Sequence, residues 1–243
     1  MTAFKSALLK EIQVFPVKYP MIGRFKFFEG PDGTSTGRAS VLVKIIDEDG
    51  VFGWGQSVPI PKWSYESLES VTVTLKNYLI PELLGLEAAD IAQAHAVMNQ
   101  CIAGSFSTGM PMAKAAIDLA LFDLRGRRAA KNLSSLLGRT SRPDITLSWT
   151  LNPKSLDDVE ALIQEGKERG YRHFNVKVAP DPHFDLELCN IVKKRVPDGF
   201  LWADANGGYD LPSALTAAPK LADIGSLWSS IPCRATGSGD TGS

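Results

Sequence analysis

The chain has 243 residues, with 26 Lys and Arg against 27 Asp and Glu, a formal net charge of −1. That length allows one large or two modest domains with a sizeable core. Near-zero charge excludes the electrostatic footprint of a nucleic-acid or anionic-membrane binder, and 44% hydrophobic with 22% charged residues is ordinary for a soluble globular protein.

SALLKEIQVFPVK, residues 6–18, alternates loosely and predicts a strand. MIGRFKFFEGPDGTSTG follows, Gly-rich and polar, and reads as a loop in which Phe25, Phe27 and Phe28 either cover a ligand or pack the loop down. VLVKI and VFGWGQ flank IDEDG, a hairpin signal through Asp49 and Gly50. Three segments then repeat apolar residues at three- and four-residue steps: YESLESVTVTLKNYLIPELL, AADIAQAHAVMNQCIA and PMAKAAIDLALFDLRGRRA. Pro111 opens the third helix, where a proline is tolerated. RGRR at 125–128 reads as a solvated helix end, with anion binding as the sharper alternative. Residues 1–140 thus predict an α+β domain: a small antiparallel sheet followed by helices.

After Asp144 the pattern changes to strand and helix in alternation. ITLSWTL, HFNVKV and FLWADAN read as strands; SLDDVEALIQEGKERG, HFDLELCNIVKKRV and DLPSALTAAPKLADIG read as helices. Ser155 with Asp158 forms a capping-box pattern, Gly170 is a stop, and Asp210 is a cap. Such alternation predicts a parallel sheet of βα units, compatible with a barrel or a doubly wound sheet.

Strand side chains alternate faces. Phe174, Val176 and Val178 share one face and Asn175 and Lys177 the other. On the next strand Leu201, Ala203 and Ala205 oppose Trp202, Asp204 and Asn206. The apolar faces should meet helices, and the polar faces should point into a shared interior near the carboxyl ends of the strands, where α/β folds place their sites. Asp204 and Asn206 offer hard oxygens suited to Mg²⁺. A lysine held beside a dication and out of water loses proton affinity and can act as a general base. The same residues also make sense as a structural Lys–Asp ion pair.

AKAAIDLALFDLRGR at 113–127, KNLSSLLG, the Asn175-Val176-Lys177 strand and the Asp204-Ala205-Asn206 strand, in that order and spacing, resemble the enolase superfamily in its mandelate racemase and muconate lactonizing enzyme-like branch. The resemblance implies an α+β capping domain over 1–140 and an incomplete (β/α) TIM-type barrel of three to four βα units over 141–228. It makes Lys177 the base that removes a proton α to a substrate carboxylate, and Asp204 the first of three acidic Mg²⁺ ligands. The small-molecule carboxylate substrate would leave as an isomer, epimer, cycloisomer or dehydrated sugar acid, a homo-oligomer being expected of the complete enzyme. Asn175 stands where the family often has a first lysine, and can donate a hydrogen bond but supplies no charge. Ser148 and Thr150, on the first βα strand, are substrate-contacting candidates. The cap segments 19–37 and 53–67 match places where the family builds specificity.

Beyond Trp228, SSIPCRATGSGDTGS is small, polar and Gly-rich and predicts an irregular tail over 229–243. The family expects a Leu-Glu-Gln-Pro-like stretch there, carrying a second metal ligand. A one-base change of reading frame after Leu227 is compatible with recovering it. With one carboxylate and an open sheet edge, the expectation is a chain of little or no activity of its own. Two rival readings stand beside it: a non-catalytic fragment serving as an interaction module, and a βα enzyme in which Lys177 forms a Schiff base. The three cysteines, Cys101, Cys189 and Cys233, form no CxxC pair and point to neither a disulfide framework nor a zinc site. With no leader-like start and no apolar run of membrane-spanning length, a cytoplasmic protein is expected.

Overall fold

A computed structural model describes residues 7–21, 37–104, 108–142 and 144–228. The expected covering role of Phe25, Phe27 and Phe28 and the tail at 229–243 lie outside the described residues. The chain divides into two compact units, residues 1–142 and 143–243.

The first unit opens with β1 (Leu9–Tyr19), β2 (Arg38–Asp47) and β3 (Phe52–Ser57), an antiparallel sheet in that order. The hairpin forms where predicted, with Gly50 at φ +80 in its turn. Val41, Val43 and Ile45 point to the helices and are fully buried. Gly53 and Gly55, on β3, let the longest helix lie directly on the strand. A Cβ at Gly53 would sit 2.2 Å from the Ala120 carbonyl oxygen, and one at Gly55 2.0 Å from that of Ala116.

Helix α1 (Pro61–Ser64) is a single turn. Helix α2 (Leu68–Thr74) is capped by Ser67 with Ser70, and runs through a π-helical turn, Leu75–Leu79, into α3 (Ile80–Leu83). The wider turn sits just before Pro81, whose ring cannot tolerate the carbonyl an ordinary turn would place against it. Helices α4 (Ile91–Cys101), α5 (Pro111–Ala129) and α6 (Leu133–Leu136) complete the unit. Glu66, 2% exposed, accepts the Met112 and Ala113 backbone N–H groups at 2.8 and 3.1 Å and so caps α5 from a distance in sequence.

The RGRR expectation needs correcting at Arg128. Its guanidinium pairs with Asp47 and, at 3.1 Å, with Asp49, and its side chain is 13% exposed. Asp47 is fully buried and also accepts the Asp49 and Val51 N–H groups. A buried carboxylate needs a partner, and Arg128 is that partner, tying the β2–β3 hairpin to the end of α5.

The second unit alternates strand and helix: β4 (Ser148–Leu151), α7 (Val159–Glu168), β5 (His173–Lys177), α8 (Pro182–Arg195), β6 (Leu201–Asp204), α9 (Leu211–Asp223) and β7 (Leu227–Trp228). The four strands pair in parallel in sequence order. Ser155 and Asp158 form the predicted capping box, and Asp210 caps α9 through the Ser213 N–H. Leu151, Phe174, Val176, Leu201 and Ala203 are buried in one cluster with Val159, Ile163, Leu188, Val192, Ala217 and Leu221 of the helices. Full burial of a side chain such as Phe174 contributes about 1.5–3 kcal/mol, so this face orients the sheet and leaves the other face for polar groups. Among the described residues no helix is long and apolar enough to cross a membrane.

Candidate active site at the carboxyl ends of two parallel strands

Lys177 is the last residue of β5 and Asp204 the last of β6, and the two are direct partners in the parallel register. Partnered residues on neighbouring strands project to the same face, so the register itself brings their side chains together. Lys177 Nζ donates to Asp204 Oδ2 at 2.5 Å and to Asn206 Oδ1 at 3.0 Å. The side chains of Lys177 and Asp204 are each 9% exposed, so the ammonium and carboxylate are largely out of water. Asn206 sits in the left-handed region at φ 47, which an Asn tolerates, and its own N–H returns to Asp204 Oδ1 at 3.0 Å. Lysine, aspartate and asparagine thus form a closed three-residue cluster.

Asn175 lies one step below on the same face, in register with Thr150 and Trp202. Its Oδ1 is buried without a hydrogen-bond partner, as is Trp202 Nε1. Thr150 is exposed. Ser148 pairs with His173, four residues before Lys177 and therefore roughly 13 Å away along the strand at about 3.3 Å per residue. A cavity of about 330 Å³ opens at that far end, lined by Thr146, Leu147, Ser148, His173, Phe200 and Trp202. Among the described residues, the buried charges on this face stand at the other end of the strands, at Lys177 and Asp204.

Asp204 and Asn206 carry hard oxygen donors of the kind Mg²⁺ takes, so the donor chemistry fits that ion in type. Among the described residues no group of three or more His, Cys, Asp or Glu is gathered to hold a metal. They supply one carboxylate of such a site and not a full set.

Sequence reasoning missed a second buried carboxylate. Asp185, in the first turn of α8, is 2% exposed and accepts the Ala179 N–H at 2.7 Å and the Tyr209 hydroxyl at 2.6 Å. Its sequence signal, an acid in a first helical turn, is indistinguishable from a surface residue favouring the helix dipole. Cys189 lies next to it. Burial first, and the Asp185 carboxylate second, push that thiol up to about 12, so it stays protonated and inert near neutral pH.

Two domain models cover most of this chain. The mandelate racemase / muconate lactonizing enzyme N-terminal domain matches residues 31–138, and the enolase C-terminal domain-like model matches 158–239. The chain belongs to the mandelate racemase and muconate lactonizing enzyme family of the enolase superfamily. The second match runs past Trp228 into the segment for which the sequence predicts an irregular tail. Among relatives, a chloromuconate cycloisomerase of Cupriavidus necator is 33% identical over 197 residues, 79% of this chain and 52% of that protein. An N-succinyl-L-Arg/Lys racemase of Bacillus cereus is 28% identical over 226 residues, 91% of this chain and 58% of that one. The solved structure of that racemase superposes with a TM-score of 0.83, and the muconate lactonizing enzyme of Pseudomonas putida with 0.80. Each is 26% identical and covers 94% of this chain, while this chain covers 60% of each. The chain therefore spans about half the length of the curated relatives it matches.

Proposed function

We propose that this chain supplies the base and one metal ligand of a Mg²⁺-dependent enzyme that abstracts the proton α to a carboxylate, the step shared by racemisation, cycloisomerisation and sugar-acid dehydration. The observation that carries the reading is the contact of Lys177 Nζ with Asp204 at 2.5 Å, between the last residues of adjacent parallel strands. The register holds the Lys177 amine directly beside an acid that could ligate a metal, the placement a base needs next to a metal-bound carboxylate substrate.

In this reading Lys177 takes the α-proton onto Nζ. Asn206 holds the amine in position through its Oδ1. Asn175 offers its amide to the substrate or to the base, at the position where the family's first lysine would bring a charge. Ser148 and Thr150 are the weaker candidates, Thr150 for substrate contact and Ser148 for packing at the other strand end. When bound, Mg²⁺ would supply the positive charge that stabilises an enediolate, with Asp204 among its ligands. The four-stranded parallel sheet is read as the first part of a (β/α) barrel. Since the described residues furnish a single carboxylate to the metal, the 243-residue chain alone is expected to be inactive. The substrate class follows the relatives: small carboxylates such as N-succinyl amino acids or muconates.

The test fuses this chain, through Trp228, to the remaining C-terminal part of the Bacillus cereus racemase. Exchange of the α-proton of N-succinyl-L-arginine with solvent deuterium is then followed by NMR. We expect Mg²⁺-dependent exchange by the fusion, none by the 243-residue chain, and loss of about 10²-fold or more on Lys177→Ala. A Lys177→Ala fusion that exchanges as fast as its parent rules out Lys177 as the base.

A further inference from the structure

Asp185 has no part in the proton transfer, yet it is among the most completely buried charges of the second unit and touches both loops that leave the site strands. It accepts the N–H of Ala179, two residues beyond Lys177, and the hydroxyl of Tyr209, five residues beyond Asp204. The two loops also meet each other. A Cβ on Gly208 would lie 2.8 Å from the Cβ of Ala179, and the Val178 N–H donates to the Asp204 carbonyl oxygen at 3.1 Å. Each loop holds a non-glycine residue in the left-handed region, Ala179 at φ 73 and Asn206 at φ 47. Such residues persist only where their surroundings over-determine them. For Ala179 the surroundings are the Asp185 carboxylate, which accepts its N–H, and the Gly208 contact, while Asn206, whose side chain suits the region, is held by its N–H to Asp204.

We propose that Asp185 and Tyr209 are positioning residues: together they clamp the loops after β5 and β6 and thereby fix the Lys177 ammonium against Asp204 and Asn206. This rests on reading that cluster as the reaction centre. Burial, and then the bond to Asp185, push the Tyr209 phenol well above its ordinary value, so it remains a donor across the neutral range. The clamp has a geometric reason to exist. Lys177 ends its strand, and without an anchor just beyond it the strand end can fray, while a displacement of about 1 Å at a reacting group is enough to cost about 10²-fold in rate.

The test compares the full chain with Tyr209→Phe, which removes one oxygen and keeps the buried ring, and with Asp185→Asn. Amide hydrogen exchange is read residue by residue, and the Lys177 ammonium is followed by ¹⁵N NMR, both without substrate or metal. We expect exchange at Ala179 and Asn206 to quicken at least about tenfold in both variants while Phe174, in the strand, keeps its rate, and the Lys177 ammonium signal to broaden. Loop amides that do not change overturn the proposal. So does an equal acceleration at Phe174, which marks a general loss of stability. If Asp185→Asn does not fold, Tyr209→Phe alone decides by the same two comparisons. These readouts need no chemistry, so they stand apart from the α-proton exchange that tests the function.

Discussion

Removing one member of the Lys177–Asp204 pair should destabilise the second unit far more than removing both. The ammonium and carboxylate are 2.5 Å apart and each side chain is 9% exposed. At an effective dielectric constant of about 20, that separation gives an attraction of about 7 kcal/mol, most of which offsets the desolvation of two ions. Losing one partner leaves the other buried and uncompensated, at about 3–5 kcal/mol. The lower end applies here. After Lys177→Met the carboxylate keeps the Asn206 N–H, and after Asp204→Asn the ammonium keeps the Asn206 Oδ1. We therefore expect about 3 kcal/mol for each single variant. The double variant Lys177→Met/Asp204→Asn buries no charge and should lose only about 1–2 kcal/mol, so the coupling energy is about 4 kcal/mol. Urea unfolding followed by far-UV circular dichroism measures all four corners of the cycle, with an unchanged denaturant slope as the check that each variant unfolds the same surface. Additive single losses would refute the reasoning, because they would mean that water, rather than the partner, satisfies each charge.

Glu66→Ala should cost about 3 kcal/mol, since it strips two charge-assisted hydrogen bonds from the buried start of α5, and Glu66→Gln should cost less because one acceptor oxygen remains; thermal unfolding of the two variants orders them. A Glu66→Ala variant as stable as its parent would show that Met112 and Ala113 find other acceptors. Alkaline stability carries a sign as well. Cys189 and Tyr209 both have their proton affinity raised in the folded chain, so the stability they contribute is complete below about pH 9 and is lost as the pH climbs toward about 12. Cys189→Ala should flatten part of that fall, as read by the denaturation midpoint between pH 8 and 11.

What the sequence disclosed was local. The bounds of α5 coincide with the apolar run from Pro111 to Ala129, because a proline at a first helical turn and a basic last turn are signals carried within a few residues. The capping box at Ser155 and the cap at Asp210 are likewise short-range chemistry. The facing of Lys177 and Asp204 follows from alternation on two strands once those strands are paired in register. What stayed hidden joins distant positions. Glu66 meets Met112 across 46 residues, Arg128 meets Asp47 across 81, and Asp185 meets Tyr209 across 24. No periodicity marks such pairs, because only the tertiary fold decides which buried acid receives which donor. Gly53 and Gly55 were visible as letters in a strand, but the helix backbone pressed upon them was not.

The matched register of Lys177 and Asp204 makes their separation a property of the sheet alone. Their spacing is dictated by the pitch of a hydrogen-bonded sheet, about 4.8 Å between neighbouring strands, and owes nothing to the length of any connecting segment. Insertions and exchanges in the connections after the two strands can therefore accumulate while the ammonium and its counter-charge keep their distance. Sequence change beyond the strand ends is thereby uncoupled from the geometry of the pair.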